Sequence, residues 1–376
     1  MIKYQELCGT DKPLNRVVIA GSHDAGITEG SRNAKTQTSN LGAQAAAGAR
    51  FFDIRVTAKA DGMHGGTKQV KMVTFHADDK VKKSEPKLRF SADLQRMETM
   101  ERTKLPYGGT FGMEFQDVLG QARAFVESPD GQGEFLMLKF SKSDNFPLVA
   151  AACRGVLGGQ NSVLLTGRPV INRMTLGQLA GKVVVLFPQS AKATVENSHQ
   201  NTDGFHYYQN LYNKDDHEAG VGAYDGEYEG LQFWGKGGTN VWNAHKITEN
   251  VDKHKMLWSL SKELNVPGDV MRMMYWTTTG TVTSIKKRDR AMWDTPNRIR
   301  FKQVWDGGVG EEVDNFIPLP MHLRDGGMEY MRAARAVFPN IVMVDFVDSL
   351  KCGIVASLNL VTPSQLREMN LANQNQ

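Results

Sequence analysis

A rhythm constrains this chain most: short runs of β-branched and large apolar residues recur along it, separated by stretches with helical spacing. Val17-Val18-Ile19-Ala20, Phe51-Phe52-Asp53-Ile54-Arg55-Val56 and the run over residues 70–75 read as strands, as do residues 134–140, 182–187, 270–278 and 341–346. Short continuous apolar runs suit strands buried on both faces. Between them, residues 39–47, 113–127, 146–157, 247–264 and 328–338 carry helical patterning, and a final helix follows the last strand. Gly48 closes the first of these helices. About eight strands alternating with helices imply a parallel sheet, as a (β/α) barrel or a doubly wound sheet. Two stretches break the rhythm. Residues 77–109 are charged and poor in β-branched residues, and read as an insertion, a lid or a solvated surface loop; residues 201–246, rich in Gly, Asn, Tyr and Trp, read as long loops.

Composition narrows the function classes. With 45 Lys+Arg against 41 Asp+Glu, the net charge of +4 is too mild to imply a nucleic-acid partner. At 40% hydrophobic and 23% charged residues, the chain is an ordinary globular protein with material for a large core. No run approaches the roughly 18 apolar residues that a membrane span needs. The N-terminal MIKYQELCGTDKPLNR lacks the apolar segment of a secretory signal. A cytoplasmic location, or export without a conventional signal peptide, is expected. Cys8, Cys153 and Cys352 show no CxxC spacing and are expected as free thiols in a reducing compartment.

Polar residues gather where strands end: His23-Asp24, Asp53 and Arg55, and His76. In a barrel the C-terminal strand ends form one rim, so such residues converge there. Two imidazoles and a guanidinium suit phosphodiester chemistry. One imidazole takes a proton from an attacking hydroxyl, the other protonates the leaving oxygen, and the guanidinium neutralises charge on phosphorus. An Asp and an Arg inside an apolar strand are costly unless paired or facing a wet pocket.

The segment Val18-Ile19-Ala20-Gly21-Ser22-His23-Asp24-Ala25-Gly26, with Gln44 and Gly48-Ala49-Arg50-Phe51-Phe52-Asp53-Ile54-Arg55, resembles the catalytic X region of bacterial-type phosphatidylinositol-specific phospholipase C. The resemblance continues at Glu134 to Lys139, at Leu179 to Leu186, at Met274-Tyr275-Trp276-Thr277-Thr278 and at Ile341-Val342-Met343-Val344-Asp345, nearly the whole chain. It implies one distorted (β/α)8 barrel of the TIM type over residues 1–376, with residues 77–109 and 201–246 as candidate insertions. It also implies roles: His23 as general base, Asp345 as the carboxylate orienting it, Arg55 as the phosphate ligand buttressed by Asp53, and Asp24 supporting the general acid. His76 is the choice for that acid because an apolar lead-in precedes it. His64 competes, since it is followed by glycine, but its place nine residues after Arg55 leaves little room for a returning strand.

The resemblance extends to substrate binding through Lys139, as an inositol contact, and Tyr212, as a ring that stacks on the inositol. Asn210 departs from the family's usual aspartate, and the strand ending at Phe187 lacks the arginine often found after it, which leaves the head group open. Calcium-dependent eukaryotic relatives resemble H-N and E-L-D where this chain has His23-Asp24 and Asp53-Ile54-Arg55. A fixed cation thus stands where those enzymes need an ion, and neither metal nor cofactor is expected. The implied reaction is that of a phosphoric diester hydrolase or lyase, cleaving phosphatidylinositol or a glycosylphosphatidylinositol-like lipid to a cyclic inositol phosphate and diacylglycerol. The expected partner is a phospholipid at a membrane surface, contacted peripherally by a monomer. Trp234, Trp242 and Trp258, with Lys236, Lys246 and Lys253, are candidates for that contact, unless the tryptophans pack in core and loops. The alternatives are a metal-dependent glycerophosphodiesterase or sphingomyelinase D-like enzyme, for which no H-R-G…E-N signature is present, and an inactive lipid-binding protein.

Overall fold

Eight parallel strands close into a barrel among the residues that the computed structural model describes, which are 1–64, 67–77, 89–91, 96–98, 105, 109–212, 225–236, 270–277, 284–294 and 339–360. The strands in chain order are β1 (Ile19–Ser22), β2 (Ala49–His64), β3 (Thr67–His76), β4 (Arg89–Ser91), β5 (Arg96–Glu98), β6 (Thr110–Glu114), β7 (Leu136–Ser143), β8 (Val183–Pro188), β9 (Phe205–Asn210), β10 (Leu231–Lys236), β11 (Met271–Trp276) and β12 (Ile341–Val344). The barrel runs β1, β2, β7, β8, β9, β10, β11, β12, and β1 closes it by pairing with both β2 and β12. The described helices are α1 (Tyr4–Cys8), α2 (Leu41–Ala47), α3 (Phe115–Glu127), α4 (Phe146–Leu157), α5 (Leu176–Leu179), α6 (Lys192–Ser198), α7 (Ile285–Trp293) and α8 (Ser349–Ser357). None is long and apolar enough to cross a membrane.

Period-two alternation divides the core into two layers. Ile19, Phe51, Met137, Val184, Leu186, Leu231, Phe233, Met271, Met273, Ile341 and Met343 pack together inside the barrel. The intervening residues, among them Phe52, Ile54, Leu138, Phe140, Val185, Phe187, Met274, Trp276, Val342 and Val344, form an outer layer with the buried faces of α3 and α4. α4 starts at Phe146, where the sequence predicts it, while α3 and α2 start two residues later than read, at Phe115 and Leu41. Asn145 caps α4 by accepting from the Leu148 N–H, Pro147 occupies its first turn, and Asn40 caps α2 by accepting from the Ala43 N–H. At the foot of the barrel the buried Arg50 pairs with Glu134 at 2.8 Å and donates to the carbonyls of Ile2, Ala45 and Ala49. This satisfies a charge that would otherwise be expensive to bury.

The structure corrects three expectations. Residues 201–246, read as long loops, contribute two barrel strands, β9 and β10. Their FHYYQN and LQFWGK sequences lack the continuous apolar runs of β8 and β12. The run ending at His76 is not a barrel strand: β3 lies antiparallel to an extension of β2. β2 is also longer than residues 51–56, since after pairing with β7 it continues beyond the rim as one arm of a hairpin. β6 adds a third antiparallel strand to that hairpin. Within residues 77–109, β4 and β5 pair with each other. The helices expected over residues 247–264 and 328–338 lie outside the described residues.

Candidate active site at the C-terminal rim

Following each inward row to its C-terminal end turns apolar residues into polar ones. Gly21 leads to His23, Phe51 to Asp53 and Arg55, Met137 to Lys139, Met273 to Tyr275 and Met343 to Asp345. β9 supplies Tyr208, inside the same inner cluster. Gly21 keeps the first row narrow, since a Cβ there would collide with Met343 Sδ and press on the Phe51 carbonyl at 3.2 Å.

His23 and Asp345 come from neighbouring parallel strands, with Ser22 at the end of β1 level with Val344 at the end of β12. Nδ1 of His23 lies 2.9 Å from Asp345 Oδ1. A carboxylate there holds the proton on Nδ1 and leaves Nε2 for chemistry. The edge of the imidazole also meets Tyr275, ring centres 5.6 Å apart.

Asp24 follows His23 directly, and in a regular strand it would point away from the barrel axis. Its φ of 44° is left-handed, a conformation that Asp tolerates better than most residues. The turn brings its carboxylate back beneath the rim. There Oδ2 lies 2.6 Å from His76 Nδ1, Oδ1 lies 3.1 Å from Arg55 Nε, and His23 Nε2 is 3.6 Å away. The Thr36 hydroxyl and the Ile27 N–H donate to the Asp24 carbonyl and fix the turn.

His76 arrives by way of the hairpin. β2 rises past the rim and β3 returns, with Thr74 level with Val56, so His76 falls back to the height of the barrel strand ends. His64, the competing residue, sits at the distal end of the same hairpin, paired with Thr67. Arg55 also donates from Nη1 to the Ala77 carbonyl at 3.3 Å, tying the hairpin's return to the rim.

Asp53 occupies the deeper half of the site. Lys139 Nζ donates to its Oδ1 at 3.2 Å and the Tyr275 hydroxyl to its Oδ2 at 3.2 Å. The Lys139 ammonium also lies over the Tyr208 ring, 5.3 Å from its centre. Asp53 was expected to buttress Arg55. The two are electrostatic neighbours, but the 3.1 Å ion pair to Arg55 comes from Asp24.

These placements set the charges. Burial opposes the ionised form of Asp24, but Arg55, then His23 and His76, hold its carboxyl well below the usual range. Asp53 is lowered likewise, with Lys139 and Arg55 overcoming burial. Burial alone would lower His23; the carboxylates of Asp24 and Asp345 reverse that and raise it to about 9. Burial and the Asp53 charge push the Tyr275 hydroxyl well above the ordinary phenol value, so it remains a donor.

Ligand atoms of His23, Asp24 and Asp53 fall within 4.8 Å of one another, a grouping that could hold a metal ion. Both carboxylates already face fixed cations, Arg55 at Asp24 and Lys139 at Asp53. A divalent ion would have to enter against both charges.

No protein-family model matches the sequence, and no curated protein matches it. Solved structures do match. One is a phosphatidylinositol-specific phospholipase C of Staphylococcus aureus, from work on its membrane binding: 15% identity over 93% of this chain and 94% of that one, with a TM-score of 0.51. Another is the phosphatidylinositol-specific phospholipase C of Listeria monocytogenes, with 13% identity, 94% and 97% coverage and a TM-score of 0.49. The likeness is one of fold.

The structure thus brings His23, Asp24, Asp53, Arg55, His76, Lys139 and Asp345 together. The Tyr212 ring packs edge-on against Trp234 at 5.1 Å, and its N–H is held by Asn210 Oδ1 at 3.1 Å. Asn210 also donates to the Gly235 carbonyl at 2.7 Å, a bond that the family's aspartate could not make. Trp234 is fully buried, which removes it from any membrane contact. Trp242, Trp258, Lys246 and Lys253, and the side chain of Lys236, lie outside the described residues. Tyr275 and Tyr208 were missed as site residues. Tyr275 was legible in principle, being in phase with the inward Met271 and Met273, whereas Tyr208 was hidden by reading its strand as a loop.

Proposed function

We propose that this chain is a phosphodiesterase that cleaves a phosphoinositide without a metal ion, by intramolecular attack of an inositol hydroxyl on phosphorus. The observation that carries this is a pair of imidazoles joined to Arg55 through Asp24, each with a carboxylate on Nδ1, at 2.9 Å for His23 and 2.6 Å for His76. Neutral His23 takes the proton from the 2-hydroxyl at Nε2 as the oxygen bonds to phosphorus. Protonated His76 gives its Nε2 proton to the diacylglycerol oxygen as that P–O bond breaks. Arg55 and the imidazolium that forms balance the charge that builds on phosphorus. The products are a cyclic inositol phosphate and diacylglycerol, and Lys139 with Tyr208 is the candidate head-group contact.

The raised value of His23, about 9, gives this mechanism a signature. As the base must be neutral, kcat/KM should climb with pH well beyond the ordinary histidine range. The direct test is hydrolysis of phosphatidylinositol micelles in excess EDTA, with phosphorus NMR of the soluble product. A cyclic inositol phosphate supports the proposal. Turnover only after Ca²⁺ or Mg²⁺ is added would assign the chemistry to a metal bound at His23, Asp24 and Asp53 instead.

A further inference from the structure

A buried lysine lies directly behind the His23–Asp345 pair. Lys351 sits in the first turn of α8, 4% exposed. Its ammonium donates to the carbonyl of Asp345 at 2.7 Å, the carbonyl of Phe346 at 2.9 Å and Asp289 Oδ2 at 2.5 Å. All the donors of an ammonium are thereby used. The rings of Trp293 and Phe346 lie 5.8 and 5.9 Å from the nitrogen. A methionine would fill this space without the cost of burying a charge, so packing alone gives no reason for a lysine here.

The backbone that it grips is unusual. Phe346 has φ 47°, a left-handed conformation that costs a residue with a Cβ about 1–2 kcal/mol and persists only where surroundings over-determine it. Two successive carbonyls, of Asp345 and Phe346, turn onto Lys351 on the outside of the barrel while the Asp345 carboxylate points inward to His23. The other edge of the segment is held from the loop after β1: the Thr36 carbonyl accepts from Phe346 N–H at 2.7 Å, and Gln37 Oε1 accepts from Val347 N–H at 2.9 Å. Gln37 Nε2 in turn donates to the His23 carbonyl at 2.8 Å. The Thr36–Gln37 side thus holds the segment's N–H groups, and Lys351 holds its carbonyls.

We propose that Lys351, held by Asp289, is a positioning residue that fixes the backbone of Asp345 and so the contact of its carboxylate with His23. The link to turnover rests on His23 acting as the base. Asp289 belongs to α7 and is buried; burial raises its carboxyl to about 7 against the pull of Lys351. The other charged groups around the pair are Asp348, whose side chain caps α8 at the Lys351 N–H, and Lys286, Arg290 and Asp294 along α7.

The test uses the full chain with Lys351→Met, which keeps the stem and removes the donors, and Asp289→Asn, which keeps a hydrogen-bond acceptor without its charge. One readout is the NMR titration of the His23 imidazole, which faces Asp24, Asp345, Asp53 and Tyr275. The other is kcat and KM on phosphatidylinositol micelles. Lys351→Met should lower the His23 midpoint by about one pH unit or more, and cut kcat about tenfold or more with KM changed less than about twofold. Asp289→Asn should move both in the same direction by less. A folded Lys351→Met protein with the wild-type His23 midpoint overturns the proposal. If that variant does not fold, an unmoved midpoint in Asp289→Asn does so. A midpoint that moves in a wild-type background with no turnover of phosphatidylinositol would uphold the positioning role and sink the proposed reaction instead.

Discussion

His23 meets Asp345 across neighbouring parallel strands of the barrel, whereas His76 reaches Asp24 from the end of an antiparallel hairpin standing on the rim. The first pair is set by register and alternation inside a closed barrel, which leaves 16% of the His23 side chain exposed. The second depends on the left-handed turn at Asp24 and on how the hairpin seats, and leaves His76 26% exposed. A proton acceptor inside the barrel gains from rigid walls and low exposure. In the proposed reaction, a donor to the departing oxygen would gain from standing at the more exposed edge. Asp24 belongs to both halves, since it touches His76 and Arg55 and lies 3.6 Å from His23 Nε2.

The largest effect should follow from breaking that shared point. Asp24→Asn keeps the shape but removes the charge on which Arg55 and His76 rest, so turnover should fall by about three to four orders of magnitude. Leaving the half-buried Arg55, 15% exposed, without its 3.1 Å partner should also cost stability, by about 3 kcal/mol or less, which urea unfolding would read. A variant retaining a tenth of wild-type activity would show that the two halves do not depend on Asp24.

The two imidazoles should separate on a substrate that needs no proton to leave. His76→Ala should lose about 10²–10⁴-fold on a lipid but far less on an inositol phosphate ester of nitrophenol, whose leaving group departs as a stabilised anion. His23→Ala should be crippled on both. Recovery of His23→Ala on the nitrophenyl ester, with none for His76→Ala, would reverse the assignments.

Protonation offers a smaller, graded contrast. The raised His23 value means that the folded state holds its proton more tightly than the unfolded chain does. The stability this supplies is complete below about 6.5, the ordinary histidine value, and is lost as pH rises through about 9. It is on the order of 3 kcal/mol. Asp24 has the opposite sign, contributing above the ordinary carboxylate range and losing its contribution as pH falls below it. Unfolding free energies of wild type and His23→Gln should therefore converge between pH 6 and pH 9.5, and a constant gap would remove the carboxylates' hold on His23. In kinetics, Asp345→Asn should pull the rising limb of kcat/KM down by about one pH unit.

Much of the inner half was legible in the sequence because strand chemistry announces it. Val18-Ile19-Ala20 before His23, and the pair Asp53 and Arg55 inside an apolar run, have few physical explanations other than a polar rim on a buried strand. The hairpin half was harder. His76 was identified from its apolar lead-in, and its separation from Arg55 is the length of a hairpin whose arms pair out to His64 and Thr67. β9 and β10 escaped because aromatic, amide and glycine residues occupy positions that Val and Ile hold in β8 and β12. Lys351 looks like any lysine near a helix start, and its burial follows only from how α7 and α8 pack behind Asp345.

The gentlest way to separate the halves is to tilt the hairpin alone. Its seat is Gly26, after the Asp24 turn: the Gly26 carbonyl accepts from the Thr74 hydroxyl at 3.0 Å and from the Met113 N–H at 2.9 Å. A Cβ at Gly112 would strike that carbonyl and lie 2.6 Å from Thr74 Oγ1, so Gly112→Ala must push β3 and β6 away from the rim. The cost should be about 1–3 kcal/mol of stability, as for other overpacked sites. Turnover of the lipid should fall about tenfold, because His76 moves with β3 while His23 stays on β1. If so, the deficit should largely vanish on the nitrophenyl ester, and the His23 titration should match wild type. A deficit that persists on the ester would mean that the hairpin also holds Arg55, through Ala77, in its working position.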